Sequence, residues 1–257
     1  MKRIIFSIYN DNVDQNHKST DSYKLSQFRK YEKPLIDCKK QYAEKYGADF
    51  VLHRTETTDY NSIQFEKIIL LENYAGLYDE IVYLDFDVVP TGYAPNIFKN
   101  IDFETLGVYP LRRDLTRGLI KERLDADALD NQNVFCKTCA KKAMLLIEGI
   151  NGNDLLYNTG VVSGGSKIIK ELNFVDQLPE LHALLDEARE DSLYPEGITK
   201  NFYYNNEVYI SYLIEKEEIP HTDLSISWNF ILDGYQRRPT AAGYFIHHVN
   251  KEFELSL

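Results

Sequence analysis

Apolar and polar positions alternate in blocks along the first 85 residues. "RIIFSIY" (3–9) is a nearly continuous apolar run closed by the polar stretch "NDNVDQNHKSTDS", and it predicts a buried strand followed by a loop. A helix is predicted over roughly 33–46, with Pro34 in its first turn and Gly47 just past its end. "ADFVLHR" predicts a second strand. Asn61 with Gln64 reads as a capping pair for "SIQFEKIILLENYAG", where Phe65, Ile68, Ile69 and Leu71 fall near one helical side. "EIVYL" (80–84) predicts a third strand. This order of strand, helix, strand, helix, strand belongs to an α/β sheet covered by helices. Such sheets bind ligands beyond the carboxyl ends of their strands. The loop after the first strand puts Ser7, Tyr9, Asn10 and Asp11 on that rim.

Beyond residue 100 the pattern is mixed. "TLGVYP" predicts a strand, 134–148 a helix, "YNTGVVSGG" a strand, 177–190 and 205–217 helices, and "FIHHV" a short strand. No repeat, low-complexity tract or Pro/Ser-rich linker divides the chain, so one α/β domain covering 1–257 is expected.

Composition narrows the partners. With 257 residues, 44% hydrophobic and 13% aromatic, the chain can bury a sizeable core. A net charge of -11, from 40 acidic and 29 basic residues, argues against nucleic acid or an anionic membrane as the main partner. The apolar run Ile4, Ile5, Phe6 is too short for a signal-peptide core, and no stretch reaches the roughly 20 apolar residues of a membrane span. A cytoplasmic protein without a transmembrane segment is expected. Cys38 stands alone, and the single C-x-x-C of Cys136 and Cys139 has no second pair to complete a zinc site, so reduced, ordinary thiols are expected.

The chemistry concentrates where the third strand ends, in "EIVYLDFDVVPTG". Read as an extended segment, Asp85 and Asp87 point to one side and Phe86 to the other. Two adjacent carboxylates repel. A hard divalent cation, Mg²⁺ or Mn²⁺, held by one or two protein carboxylates and a substrate diphosphate relieves that repulsion. An isolated D-x-D is more often a surface turn in which Asp87 caps the backbone and Asp85 pairs with a surface Lys or Arg.

Four stretches set this D-x-D in a wider pattern: "IIFSIYN", "YDEIVYLDFDVV", "LYNTGVVSGG" and "FIHHVNK". Together they resemble the GT-A glycosyltransferases, and most closely the retaining family (glycosyltransferase family 8-like) that includes glycogenin and bacterial lipooligosaccharide galactosyltransferases. The resemblance implies a GT-A, Rossmann-like mixed sheet flanked by helices, with 1–90 as the nucleotide-binding half and 91–257 as the donor-sugar and acceptor half. It implies transfer of a hexose from a nucleotide-sugar donor, UDP-linked, to a carbohydrate or other hydroxyl acceptor with retention, as in carbohydrate biosynthesis.

Position by position, the resemblance puts the nucleotide base on Ser7 and Tyr9, and the metal and ribose on Asp85 and Asp87. It puts the donor sugar on Asn158, Thr159, Gly160 and Val161, and the late metal ligand on His247, with Lys251 on the diphosphate. The family has a glycine where Asn250 stands, and a register shifted by one residue brings His248 to the metal instead of His247. Glu207, in "NNEV", stands where the family carries an acidic residue on a later helix; with Asn158 it is a sugar-contacting candidate.

Three further features have two readings each. Lys67 has no carboxylate three or four residues away on its helix, and either reaches the donor or lies on a solvated face. Arg112, Arg113 and Arg117, interleaved with Asp114, form a solvated loop or a grip for an anion. Trp228 packs in the core or stacks on a sugar. Competing assignments are a haloacid-dehalogenase-like phosphohydrolase, with Asp85 as nucleophile and Asp87 as general acid, and a non-catalytic sugar-nucleotide-binding protein of the same fold. The phosphohydrolase motif belongs on a first strand, whereas two strands precede it here. A sugar-nucleotide pyrophosphorylase needs a Gly-rich loop after the first strand, and "NDNVDQNHKSTD" has no glycine.

Overall fold

A computed structural model describes residues 1–10, 22–55, 60–111, 134–232 and 243–255. Asp11, Arg112, Arg113, Asp114, Arg117 and the side chain of Asn61 lie outside the described residues. The chain forms two compact units: Met1–Tyr109, Thr159–Lys170 and Thr222–Leu257 make the first, and Pro110–Asn158 with Glu171–His221 the second.

The elements of the first part of the chain are β1 (Arg3–Tyr9), α1 (Ser22–Lys45), β2 (Asp49–Arg54), α2 (Tyr60–Ala75), β3 (Glu80–Leu84), β4 (Val88–Pro90), α3 (Ile97–Asn100) and β5 (Leu106–Pro110). They are followed by α4 (Val134–Ile147), β6 (Tyr157–Gly165), α5 (Ser166–Glu171), α6 (Phe174–Asp191), α7 (Glu196–Thr199) and α8 (Asn206–Lys216). The chain ends with β7 (His221–Asp223), β8 (Phe230–Leu232) and β9 (Phe245–His248).

The first unit is built on a six-stranded sheet in the order β2-β1-β3-β6-β5-β7. β1 runs parallel to β2 and β3, with Ile5 opposite Val82, while β6 is antiparallel to β3, with Val161 opposite Leu84. The sheet is therefore mixed. All five residues of β3 are buried: Ile81–Leu84 as an apolar run requires, and Glu80 with Arg3 Nε donating to its Oε2 at 2.6 Å. Ile5, Val82, Leu84, Val161, Phe98, Trp228 and Phe245 share one core cluster. Trp228 stands edge-on to Tyr244 and Phe245, so its packing is that of a core residue.

A second sheet of three strands, β4-β9-β8, adjoins the end of β3 in the chain. β4 is antiparallel to β9 and β8 parallel to it, so Val88 and Ile231 both stand opposite His247.

Helix α1 begins at Ser22, well before the expected start near 33, and Pro34 lies inside it. A proline there costs a backbone hydrogen bond. Burial of Leu25, Leu35, Tyr42 and Ala43 along the helix carries the element through that position. The expected stop at Gly47 is present. Its φ is 69°, its N–H donates to Glu44 O at 3.2 Å, and Ala48 N donates to Ala43 O at 3.0 Å, the Schellman closure that favours glycine.

In the second unit, α4 packs against α6 and α8. Asn205 caps α8, its side-chain oxygen accepting from Glu207 N at 2.9 Å. Lys141, with no exposed surface, has Asn153 O, Asn153 Oδ1, Leu155 O and Glu215 Oε2 within 2.9 Å of its ammonium. Four acceptors for three N–H groups satisfy a buried cation fully and tie the segment after α4 to α8. Cys136 and Cys139 are buried free thiols on α4, and burial pushes the Cys139 thiol up to about 12. Among the described residues, no helix is long and apolar enough to cross a membrane.

Candidate functional site

β3 stops at Leu84, and the acidic pair is carried on a turn. Val88 N donates to Asp85 O at 2.9 Å, and Asp85 N donates to Gly160 O on β6 at 2.8 Å. The expected extended geometry is therefore replaced by a reverse turn. Phe86, between the two aspartates, explains how the turn is held. Its ring packs against Tyr9 at 4.7 Å and Phe28 at 5.4 Å, in a cluster with Leu35, Val89 and Phe253. Behind it Lys39, fully buried, donates to Phe86 O at 2.8 Å and Leu35 O at 3.3 Å. Burial lowers the Lys39 pKa.

With Phe86 pinned inward, the carboxylates of Asp85 and Asp87 converge on His247. The imidazole Nε2 is 3.5 Å from Asp87 Oδ2 and 3.9 Å from Asp85 Oδ2. One ligand atom from each of these three residues lies within 4.8 Å of the others, and among the described residues this is the one such metal-capable group. On the other side of the ring, Nδ1 is 3.0 Å from Asn229 Oδ1. An amide oxygen only accepts, so Nδ1 is the nitrogen that donates here, and Nε2 is the ring nitrogen placed beside the carboxylates, where a cation held by them would find it.

His248 points elsewhere. Its ring packs on Phe253 at 5.3 Å, its nitrogens have no hydrogen-bond partner among the described residues, and burial pushes its pKa down to about 4. The β4–β9 register thus settles which histidine meets the acidic pair.

The carboxylates also have cationic partners. Lys67, 7% exposed, donates to Asp85 Oδ1 and to Thr159 O, each at 3.2 Å, and Tyr83 Oη donates to the same Asp85 Oδ1 at 2.5 Å. That excludes a solvated face for Lys67. Burial first, and then the Asp85 charge, raise the Tyr83 pKa well above its usual value. Lys251 Nζ donates to Asp87 Oδ2 from a left-handed backbone with φ 61°, and its ammonium lies 5.1 Å from the centre of the Phe28 ring. Burial alone would push the Asp87 carboxyl up, but the Lys251 ammonium and His247 hold it well below the usual carboxylate range.

The remaining sequence-derived residues divide between the two units. Ser7 is fully buried and its hydroxyl donates to Leu84 O at 2.6 Å, stitching β1 to the end of β3. Tyr9 is buried against Phe86, with the Arg54 guanidinium 5.0 Å from its ring centre. Thr159 and Gly160 face the acidic turn through their carbonyls. In the second unit, Asn158 Nδ2 donates to Glu207 Oε1 at 2.6 Å and Lys137 Nζ to Glu207 Oε2 at 2.5 Å. Sequence reasoning missed Lys39, Tyr83, Lys137 and Asn229. Only Tyr83 had a signal: two residues before Asp85 on an extended run, it shares that residue's side.

Two carboxylates and an imidazole of fixed tautomer form an O,O,N donor set, which fits a hard or borderline divalent cation. No family model and no curated protein sequence matches the chain. Among solved structures it is similar to a glycosyltransferase involved in the glycosylation of the major capsid of PBCV-1, with a TM-score of 0.50 and 12% identity over 100% of both chains. Lower scores relate it to mouse xyloside xylosyltransferase 1 (TM-score 0.46, 10% identity, 100% of both chains). They also relate it to the galactosyltransferase LgtC in complex with donor and acceptor sugar analogs (TM-score 0.44, 13% identity, 96% of this chain and 86% of that one). The first likeness shows the fold: a mixed α/β sheet flanked by helices, of the GT-A glycosyltransferase kind.

Proposed function

We propose that this protein is a metal-dependent glycosyltransferase that moves a hexose from a UDP-linked donor to a carbohydrate or other hydroxyl acceptor, with retention. The observation that carries the reading is the convergence of Asp85, Asp87 and His247 just beyond the carboxyl end of β3, on a GT-A sheet. Breaking a sugar–phosphate bond leaves a nucleoside diphosphate with added negative charge, so the site must concentrate positive charge there. A divalent cation, Mn²⁺ or Mg²⁺, bound by these three residues supplies a Lewis acid for that charge. Lys67 and Lys251 stand beside the same carboxylates and supply further positive charge.

On the strength of the sequence likeness, residues 1–90 are assigned to the nucleotide, with the base beside the strand end that carries Ser7 and Tyr9, whose own side chains are buried, and Thr159 and Gly160 to the donor beside the acidic turn. Asn158 and Glu207 are assigned to the donor sugar on the strength of the sequence likeness. Both Glu207 oxygens are engaged, by Lys137 and by Asn158, which suits a carboxylate that orients and does not attack. Catalysis then rests on positioning and electrostatics.

A thermal-shift panel of UDP-, GDP-, ADP- and dTDP-sugars with and without Mn²⁺ tests the reading. Stabilisation by one nucleotide class, only with metal and lost in Asp87→Ala, is the expected result. Binding indifferent to EDTA and to Asp87→Ala would sink it. Release of phosphate from a generic phosphomonoester would favour the phosphohydrolase instead, and stabilisation without sugar transfer or donor hydrolysis would favour a binding protein.

A further inference from the structure

The two carboxylates of the acidic turn are engaged differently by their lysines. Lys67 and Tyr83 both bind Asp85 Oδ1, while Asp85 Oδ2 is the oxygen that faces His247. The pair therefore clamps the far side of the carboxylate and leaves the inward oxygen aimed at the imidazole. Lys251 does the opposite. It donates to Asp87 Oδ2, the same oxygen that lies 3.5 Å from His247 Nε2.

We infer that Lys251 is a displaceable counter-ion: a divalent cation entering between Asp87 and His247 must drive the ammonium off Asp87 Oδ2. This rests on the metal-site reading above. An ammonium and a divalent cation sharing one carboxylate oxygen repel each other strongly in so enclosed a place, where Asp87 is 6% exposed. The displaced ammonium is a buried cation without its partner unless an anion receives it. A diphosphate arriving with the metal provides that anion. Metal and diphosphate are then bound cooperatively, each strengthening the other by the same factor. Lys251 follows β9 in a turn with φ 61°, closed by its own N–H donating to His248 O at 2.9 Å, so displacement of the ammonium moves the side chain and leaves the turn in place.

Calorimetric titration of Mn²⁺ alone, and of Mn²⁺ with UDP, tests this in the full-length protein and four variants. Lys251→Met removes the ammonium. Lys251→Gly does the same and suits the positive φ, which protects the test against a folding failure. Both are expected to bind Mn²⁺ alone at least about tenfold more tightly than the parent, which is about 1.4 kcal/mol, and to lose Mn²⁺–UDP cooperativity by a similar factor. Lys251→Arg keeps a cation on Asp87 and is expected to behave like the parent. Lys67→Met also deletes a positive charge beside a carboxylate, but frees Asp85 to turn, so Mn²⁺ binding is expected to stay equal or weaken.

Unchanged or weaker Mn²⁺ binding in the folded Lys251→Gly protein overturns the inference, as does equal tightening by Lys67→Met or an absence of Mn²⁺ binding in every form. If Mn²⁺ binds as described but UDP does not bind at all, the nucleotide-sugar reading falls while the displacement of Lys251 by metal stands.

Discussion

His247 Nδ1 lies 3.0 Å from Asn229 Oδ1, and this contact turns the opposite ring nitrogen toward Asp85 and Asp87. Asn229→Leu removes the acceptor that fixes the tautomer and ring angle. Mn²⁺ affinity is expected to fall about 10–100-fold with an unchanged far-UV circular dichroism spectrum. Asn229→Asp, which keeps an acceptor, is expected to retain binding. Full affinity in Asn229→Leu would mean that the register of β9 alone orients the ring.

The Lys137–Glu207 pair gives a second prediction, within the other unit. Both side chains are buried, so Lys137→Met takes the ammonium away from a buried carboxylate and is expected to cost about 3–5 kcal/mol in urea unfolding. Glu207→Gln still offers Asn158 Nδ2 an acceptor. The double variant should recover most of the loss, and simple additivity of the two single changes would show that the pair is not coupled.

Acid lability follows from His248. Burial pushes its folded pKa down to about 4, against about 6.5 in an unfolded chain. Between those values the unfolded state binds the extra proton, so stability is lost as pH falls from about 6.5 to about 4, by up to about 3 kcal/mol. Asp87, held low when folded, adds a further loss once the pH drops below the unfolded carboxylate value of about 3.9. His248→Phe, packed against Phe253, should flatten the upper limb of urea midpoint against pH in EDTA. An unaltered slope would place the titration elsewhere.

Two glycines should respond in opposite ways. Gly165 N donates to Phe103 O at 2.8 Å, and an added Cβ would stand 2.6 Å from that oxygen. Gly165→Ala is expected to cost about 1–3 kcal/mol, because backbone must move. Gly197, in α7, has open space where its Cβ would be, and Gly197→Ala is expected to be neutral or to stabilise by up to about 1 kcal/mol. Thermal midpoints of the two variants decide the matter.

What the chain discloses before folding follows from length and period. β3 stands where its apolar run predicts a strand, β6 where turn residues bracket one, and α4 and β9 within about a residue of their expected bounds. β4 and β8 have three residues apiece, too few to show a period, so the three-stranded sheet that brings His247 to Asp87 has no signature. Pro34 reads as a start signal because prolines favour first turns, yet α1 continues on both sides of it. The D-x-D pointed to the right place for a partly wrong reason: Phe86 packing and the Asp85–Val88 turn, not strand alternation, bring the carboxylates together. Lys39 and Asn229 gave no signal, since their partners, Phe86 O and the His247 ring, come from distant segments.

The pairing of β4 with β9 also governs when the site can exist. Asp87 and Lys251 are 164 residues apart, and Val88 meets His247 across a similar gap, so the loop that must close is among the longest in the chain. Contacts of such separation form slowly, because their closure entropy is met before any contact rewards it. During synthesis the acidic turn emerges long before its imidazole, and the three-residue donor set exists only after β9 has been made and docked. A nascent chain stalled before residue 245 would carry the two aspartates without the imidazole that completes the three-residue group.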